Sequence, residues 1–150
     1  MNPPTERSLI SSFLVGHLEL ARLIEDRIQD AGLNALEAIA IRTVLINRTV
    51  TPGTLREALA LRASTASYIV GRLESKGYAV RVPAAADARF ALVRLTGPGE
   101  SAAAIVSTAM TELDAEIASV AQVSPCAVTQ VVDAIEALAS RERRMHLRHW

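Results

Sequence analysis

Aromatic residues, cysteine and long apolar runs are scarce in this sequence, and each scarcity excludes a class of protein. Phe, Trp and Tyr make up 3% of the 150 residues, too few for a typical β-sandwich, whose strands favour bulky and aromatic side chains. The single cysteine cannot form an internal disulfide and cannot anchor a zinc ribbon. No segment has the 18 uninterrupted apolar residues expected of a bilayer-spanning helix.

What the sequence does contain is typical of one helical domain with an added dimerisation arm. Hydrophobic residues, mostly aliphatic, make up 50% of the chain and charged residues 21%, a composition that excludes a disordered tail. The N-terminus does not resemble a signal peptide, because Glu6 precedes the short apolar run and His17 and Glu19 follow it. We therefore predict a cytoplasmic protein.

The formal net charge is zero, but the charges are unevenly distributed. Counting Arg and Lys against Asp and Glu gives −1 for residues 1–50, +3 for residues 51–100 and −2 for residues 101–150. A basic middle between nearly neutral ends is a modest indication of a surface that binds nucleic acid.

Apolar periodicity predicts long helices at both ends of the chain. The first covers about residues 6–31 and ends at Gly32, and the second covers residues 35–48 with Asn34 as its N-cap. Residues 96–100 begin a helix that runs to about residue 122, and residues 124–125 begin the last helix. The expected core positions of these helices include Leu20, Leu23, Ile24, Ile28, Leu36, Ile39, Val44, Ile105, Met110, Leu113 and Ile117.

The middle of the chain has the pattern of a helix-turn-helix followed by a hairpin. Thr51 and Pro52 begin a short helix that ends at residue 59 or 60, and a second short helix covers residues 64–76 and ends at Gly77. Alternating residues then predict strands over 78–82 and 90–95, with Pro83 ending the first and residues 84–88 as the loop. A hairpin in this place is a wing.

The second short helix has an apolar face and a polar face. Ala66, Val70 and Leu73 are spaced to face the core. The opposite side carries hydroxyls, one aromatic ring and one guanidinium, with no acid before residue 74: Ser64, Thr65, Ser67, Tyr68 and Arg72. Such groups suit phosphates and base edges, and the alternative is an ordinary solvated face. Gly71 on this helix allows close approach either of a nucleic-acid backbone or of a neighbouring helix.

Residues 51–99 resemble the MarR family of bacterial winged-helix transcription regulators. The matching residues occur in order along the chain: Leu61, Ser64, Thr65, Ser67, Leu73, Glu74, Lys76, Gly77, Arg81, Asp87, Arg89, Leu95, Thr96 and Gly99. The long helices on either side lie where the family has its dimerisation helices.

The resemblance implies a mainly α fold with a small β-hairpin wing, in which residues 34–99 bind DNA and residues 1–33 and 100–150 form a helical dimerisation region of the same compact chain. It implies a homodimeric repressor of a pseudo-palindromic double-stranded operator, modulated by a small-molecule effector. The DNA contacts would come from Thr54 and from the five polar residues of the second short helix. In the wing, Asp87 would orient Arg89 towards the minor groove.

Several residues depart from the family pattern. Arg56 stands in place of a small residue, Ala60 in place of a turn glycine, and Arg62 in place of a capping serine. Tyr68 and Gly71 occupy positions that are often basic and acidic, and Ala88 replaces the first wing arginine. These departures affect the preferred DNA sequence more than the fold.

Other candidate sites are weak, and the sequence predicts neither an enzyme nor a metal protein. Cys126 is interpreted as a small residue in the first turn of a helix, His17 as structural, and His146 with His149 as lacking the further ligand that a metal needs. No Ser/His/Asp set, paired-carboxylate site or phosphate loop is present in the sequence. The alternative function is a winged helix for protein–protein contact, which the zero net charge and the alanine-rich wing favour.

Overall fold

The computed structural model describes residues 8–83, 91–121 and 125–146, and within them the chain is mostly helical with a small antiparallel sheet. The helices are α1 (Leu9–Arg27), α2 (Ala35–Asn47), α3 (Pro52–Ala58), α4 (Ala63–Ser75), α5 (Gly97–Ala121) and α6 (Pro125–His146). The strands are β1 (Thr49–Val50), β2 (Ala79–Pro83) and β3 (Ala91–Leu95). The predicted fold class is confirmed. The chain divides into two compact units whose boundary lies within α5, between Thr111 and Glu112.

The first helix is shorter than predicted. After α1 the chain makes a single 3₁₀ turn (Gln29–Ala31), and Gly32 then adopts the left-handed conformation with φ of 60°. The N–H of Ile28 is shared between the carbonyls four and three residues earlier, at 3.1 and 3.2 Å, as is common where a helix tightens at its end. The fully buried Ile28 lies at this change. The α-helix therefore ends before residue 28, and Gly32 ends the 3₁₀ turn.

The predicted cap of α2 is confirmed and is reciprocal. The N–H of Glu37 donates to Oδ1 of Asn34 at 2.8 Å, and the N–H of Asn34 donates to Oε2 of Glu37 at 3.1 Å. This capping box satisfies two N–H groups that the start of a helix leaves without partners.

The two helices of the helix-turn-helix begin and end through local hydrogen bonds. Thr51 caps α3 by accepting the N–H of Thr54 at 2.9 Å, and Pro52 takes the first helical position as predicted. At the end of α3, the N–H of Leu61 donates to the carbonyl of Arg56 at 2.8 Å. A second bond, from the residue 60 N–H to the residue 57 carbonyl at 3.2 Å, completes a Schellman motif.

The same motif ends α4. The N–H of Tyr78 donates to the carbonyl of Leu73 and the N–H of Gly77 to the carbonyl of Glu74, both at 2.9 Å. Each motif needs a left-handed residue after the helix, and that residue is Gly77 with φ of 74° in one case and Ala60 with φ of 51° in the other. A side chain with a Cβ atom makes this conformation unfavourable, so the turn between α3 and α4 is strained at Ala60.

Replacing Ala60 by glycine should therefore stabilise the protein. Relief of the left-handed strain is worth about 1–2 kcal/mol, and the greater freedom of glycine in the unfolded chain offsets about 0.5–1 kcal/mol of it. The net gain should appear as a higher urea midpoint at unchanged slope. Ala104→Gly, at an exposed position within α5, should change stability by a similar amount in the opposite direction. A loss of stability in Ala60→Gly would contradict the assignment of strain.

The sheet contains one strand that the sequence did not predict. The strand order is β1-β3-β2 and all pairs are antiparallel, with Thr49 opposite Arg94 and Val80 opposite the same Arg94. A strand of two residues is too short for alternation to be visible, which is why β1 was missed.

The two predicted strands are confirmed: β2 begins and ends one residue later than predicted, and β3 ends at Leu95 as predicted. Pro83 does not stop β2 but is its last residue, opposite Ala91. Proline is tolerated there because β2 is an edge strand and needs no ladder N–H on its open side. The loop at residues 84–88, including Asp87 and Ala88, lies outside the described residues, as does Arg89.

The core of the unit that ends at Thr111 joins helices and sheet. Its largest fully buried apolar side chains come from each part of that unit: Ile28, Ile41, Val44, Leu55, Val70, Leu73, Val93 and Val106. The predicted inner face of α4 is confirmed, because Ala66, Val70 and Leu73 are all buried. This core fixes α4 from behind and leaves its opposite face to solvent.

Several apolar residues expected in the core are instead exposed in the isolated chain. Ile39, Ile105 and Ile117 are each more than two-fifths exposed, and so are Leu20 and Leu23 of α1. The apolar stripes of these helices are wider than the surface that the chain's own core covers. None of the helices in the described ranges combines the length and the apolar composition that a membrane-spanning segment requires.

Candidate nucleic-acid interface

The outer face of α4 is polar, accessible and free of acids along its first two turns. Ser64 and Ser67 are exposed, Thr65 is half-buried, and Tyr68 is 65% exposed. Arg62, the N-cap residue, makes no side-chain capping bond, and the first turn contains no acidic residue. The N–H groups at this end of the helix are therefore not occupied by a capping side chain and carry the positive end of the helix dipole. Hydroxyls beside such an end suit anionic phosphate groups.

Thr54, the predicted contact on α3, is also exposed. Its hydroxyl lies 2.9 Å from the hydroxyl of Thr51, whose oxygen also caps the helix. This pairing fixes the orientation of the Thr54 side chain at the start of α3.

Gly71 lies on the exposed side of α4, and no described neighbour explains it. A Cβ atom built at this position would meet no described atom within 4 Å. Among the described residues, no neighbouring helix packs closely against this glycine.

Arg72 does not extend freely into solvent as its place on the polar face predicted. Its Nε–H donates to Oε1 of Glu37 at 3.1 Å, although its side chain remains 46% exposed. Glu37 itself is 2% exposed and lies in the first turn of α2. The arginine is therefore hydrogen-bonded through Nε to a buried carboxylate that lies 35 positions earlier in the sequence.

The Glu37 carboxylate has further partners that satisfy its charge. The Nζ of Lys76 donates to Oε2 at 2.6 Å, and the Asn34 N–H donates to the same oxygen. Burial raises the pKa of Glu37, but the hydrogen bonds from Lys76, Asn34 and Arg72 together outweigh it and hold the pKa below its ordinary value. The group is therefore ionised at neutral pH, and its charge stabilises the folded state there.

Two more contacts join the end of α4 to the segment before α2. Lys76 Nζ also donates to the carbonyl of Gly32, and the hydroxyl of Tyr78 donates to the carbonyl of Ala31 at 2.9 Å. The C-terminal half of α4 is thus held against α2 and the 3₁₀ turn.

The acid at residue 74 is also paired. Oε2 of Glu74 forms an ion pair with Nε of Arg81 on β2, at a distance of 3.2 Å. This pair reduces the negative charge that Glu74 would otherwise present next to the polar face of α4.

The remaining sequence candidates are placed as follows. Asp87, Arg89 and His149 lie outside the described residues, as does the side chain of His146. His17 and Cys126 are exposed, and the sulfur of Cys126 accepts a hydrogen bond from Gln130 Nε2 at 3.9 Å. Across the part of the chain that the structure describes, no group of three or more His, Cys, Asp or Glu could hold a metal ion.

Sequence reasoning missed Glu37. The spacing of Asn34 and Glu37 is a capping-box signal, and it could have identified the reciprocal cap. No local pattern could have indicated that the same carboxylate binds Arg72 and Lys76, because this contact depends on the packing of α2 against α4.

A family model described as the MarR family matches residues 31–89, which contain α2, the helix-turn-helix and β2. No curated protein matches the sequence significantly. The family match therefore covers most of the part predicted to bind DNA, residues 34–99, but not β3, α1, α5 or α6.

Solved structures extend the likeness to nearly all of the chain. The regulator BldR from Sulfolobus solfataricus is 19% identical, with a TM-score of 0.70 over 89% of this chain and 93% of that chain. A MarR mutant from E. coli complexed with operator DNA is 18% identical, with a TM-score of 0.69 over 91% and 99%. Overoxidised AbfR bound to DNA is 20% identical, with a TM-score of 0.68 over 88% and 89%. With a family match over residues 31–89 and a shared fold over about nine-tenths of its length, this chain has the winged-helix fold and is similar to the regulators of the MarR family.

Proposed function

We propose that this protein is a sequence-specific DNA-binding transcriptional regulator that acts in the cytoplasm as a homodimeric repressor. The observation that carries the proposal is the outer face of α4, which is accessible, rich in hydroxyls and free of acids, on a helix-turn-helix held rigidly from behind. Proteins with the same fold have been solved with DNA, including the E. coli operator complex and AbfR.

In this proposal α4 enters the major groove. Ser64, Thr65 and Ser67 contact phosphates or base edges near the start of the helix, and Tyr68 and Arg72 contact bases or phosphates one turn further on. Thr54 contacts the backbone from α3. In the wing, Asp87 orients Arg89 into the minor groove, which attracts arginine where it is narrow.

The dimer in this proposal is formed by a second copy of the chain. α1 exposes five large apolar side chains on its first three turns: Leu9, Ile10, Leu14, Val15 and Leu18. α6 separately exposes Val132, Ile135 and Leu138. An aliphatic surface of this kind on a monomer is typical of a protein interface. Two-fold symmetry of the dimer would match a pseudo-palindromic operator.

The repressor role and an effector are the parts of the proposal that rest on the family resemblance. A small molecule that binds between the dimerisation and DNA-binding regions would change the spacing of the two α4 helices. Altered spacing would no longer fit successive major grooves, so the effector would release the DNA.

Salt dependence separates DNA binding from the alternative, a winged helix for protein–protein contact. Binding to a labelled 30-base-pair duplex, selected by the protein from a random library, should weaken by about 10³-fold or more between 50 and 200 mM salt. An apolar protein contact would change little over the same range. The measurement is fluorescence anisotropy, and selection of no duplex at low salt would contradict the proposed function.

One pair of variants tests whether α4 is the surface used. Ser67→Glu places a carboxylate on the acid-free face and should weaken binding at least tenfold, because like charges opposed at an interface are strongly unfavourable. Ser101→Glu makes the same change at an exposed position of α5 and should leave affinity nearly unchanged. Equal effects of the two substitutions would show that the duplex does not lie against α4.

A further inference from the structure

In the ion pair between Glu37 and Arg72, the carboxylate is buried and the arginine is accessible to solvent. The carboxylate is buried at 2% exposure, whereas the arginine side chain is 46% exposed. The contact uses Nε of the guanidinium, at 3.1 Å from Oε1. Among the described residues, no other side chain or carbonyl accepts a hydrogen bond from the Arg72 terminal amino groups.

The Glu37 carboxylate cannot rotate away from this contact easily. Its second oxygen accepts hydrogen bonds from Lys76 Nζ at 2.6 Å and from the Asn34 N–H at 3.1 Å. Both oxygens are therefore engaged, and the carboxylate plane is fixed by α2 on one side and α4 on the other. A fixed acceptor in turn fixes the plane of the guanidinium that donates to it.

The chemistry of arginine makes such an arrangement useful for binding DNA. A guanidinium has five N–H donors in one plane, and the use of one at Nε leaves four at the two terminal nitrogens. A free arginine loses much conformational entropy when it binds, whereas one already ordered in the unbound protein loses less.

We propose that Glu37 is a positioning residue for DNA recognition: it holds Arg72 through Nε so that the terminal amino groups are presented to the duplex. This inference rests on the proposed function and adds a residue of α2, outside the helix-turn-helix, to the determinants of DNA affinity. Glu37 itself is buried behind α4 and does not touch the DNA.

Simple electrostatics predicts the opposite result when Glu37 is neutralised. Removal of an acid close to a DNA-binding helix should strengthen the attraction of phosphates. If Glu37 positions Arg72, its neutralisation should instead weaken binding, because Arg72 then has to be ordered at the moment of contact. The sign of the effect therefore tests the proposal.

The first experiment measures duplex affinity for Glu37→Gln, Arg72→Ala and the double variant, on the selected 30-base-pair duplex and on a random one. Glu37→Gln should lose about two- to tenfold on the selected duplex, the effect expected from ordering one long side chain. In the Arg72→Ala background the same change should have little effect, so that the two losses are not additive. Additive losses, or tighter binding by Glu37→Gln, would overturn the proposal.

Glu74→Gln is the matched control. Glu74 also pairs through Nε of an arginine, at 3.2 Å, but its partner is Arg81 on β2. This variant makes the same chemical change in the same region and leaves Arg72 in place, so its affinity should be unchanged or slightly higher. A loss equal to that of Glu37→Gln would assign the effect to charge or general loosening and overturn the positioning role.

Two further measurements keep the test decisive if Glu37→Gln folds poorly. Arg72→Lys retains the positive charge but lacks the donor at Nε, so it should lose about as much affinity as Glu37→Gln. Because the Arg72 side chain is 46% exposed, this substitution should not disturb the fold. In the free parent protein, the Arg72 Nε–H signal in ¹⁵N NMR should exchange slowly with water. Full affinity in Arg72→Lys, or fast exchange in the parent, would overturn the proposal.

The outcomes separate this inference from the proposed function. A parent protein that selects no duplex overturns both. A parent that binds its duplex with steep salt dependence, together with a Glu37→Gln variant that binds equally well, overturns only the role of Glu37.

Discussion

Gly99→Ala should destabilise the protein by about 3 kcal/mol or more, at or above the upper end of the cost of overpacking. An ideal Cβ atom at this position would lie 1.9 Å from the carbonyl oxygen of Tyr78 and 2.8 Å from its carbonyl carbon. Both are backbone atoms, so no flexible side chain can move away to accommodate the methyl group.

Tyr78 cannot easily move either. Its N–H donates to Leu73 in the Schellman motif, its carbonyl accepts the N–H of Thr96 at 3.0 Å, and its hydroxyl donates to Ala31. On the other side, the N–H of Gly99 donates to the hydroxyl of Thr96, which caps α5. Relief of the clash must therefore break the junction between the end of α4 and the start of α5.

The measurement is the free energy of unfolding in urea, with the thermal midpoint expected to fall by about 10 °C. Gly97→Ala is the matched control, because it lies in the same turn of α5 and a Cβ atom there meets no described atom within 4 Å. Gly97→Ala should be nearly neutral. If the two variants were equally stable, the close approach of Gly99 to Tyr78 would not exist in solution.

The second large effect is expected at the dimer interface. The parent protein should have about twice the 16.1 kDa mass of one chain by light scattering at micromolar concentration. Replacement of Leu14 and Leu18, which are 61% and 59% exposed in the isolated chain, by glutamate should give the mass of a single chain. Each substitution occurs twice in a two-fold interface. The double variant should therefore raise the dissociation constant of the dimer by about 10³-fold or more.

Control substitutions on the same helix distinguish a lost interface from a lost fold. Ser12→Glu with Gly16→Glu adds two acids at the same spacing on the opposite side of α1, where the dimer should be retained. Circular dichroism should show unchanged helix content in both double variants. A monomeric parent protein would remove the dimer from the proposed function.

The features that the sequence predicted well are those whose signals are local. The caps at Asn34 and Thr51 and the stop at Gly77 depend on hydrogen bonds between residues a few positions apart. Their side-chain chemistry is therefore visible in a short window of sequence. The alternation of the two hairpin strands is equally local, and the described residues of both strands lie within one residue of the predicted ranges.

The extent of burial was less predictable, and the reason is geometric. Periodicity identifies the apolar side of a helix, but it does not say how much of that side the chain's own core covers. Ile105 and Ile117 belong to the apolar side of α5 and are nevertheless exposed, whereas the neighbouring Val106 is fully buried. The same limit applies to α1, where the predicted stripe is buried only at its C-terminal end, around Ile24 and Ile28.

For the candidate site, the sequence predicted which residues share the outer face of α4 but not the hydrogen bonds that their side chains make. The outer face of α4 follows from helical spacing, and the five polar residues predicted there lie on it as expected, with Thr65 and Arg72 partly covered. The partner of Arg72 could not be deduced, because Glu37 comes from another helix. Contacts of this kind depend on the packing of whole elements, which a single sequence does not reveal.

The central place of β3 in the sheet has a consequence for how the chain folds during synthesis. The helix-turn-helix lies between β1 and β2 in the sequence, and both of these strands pair with β3, which comes later. Chains leave the ribosome from their N-terminus. A nascent chain that has not yet reached Ala91 therefore has both helices of the helix-turn-helix but no partner for either flanking strand. Val80 lies much nearer to Arg94 in sequence than Thr49 does, so the hairpin has the smaller loop-closure entropy and β1 is the last strand to join.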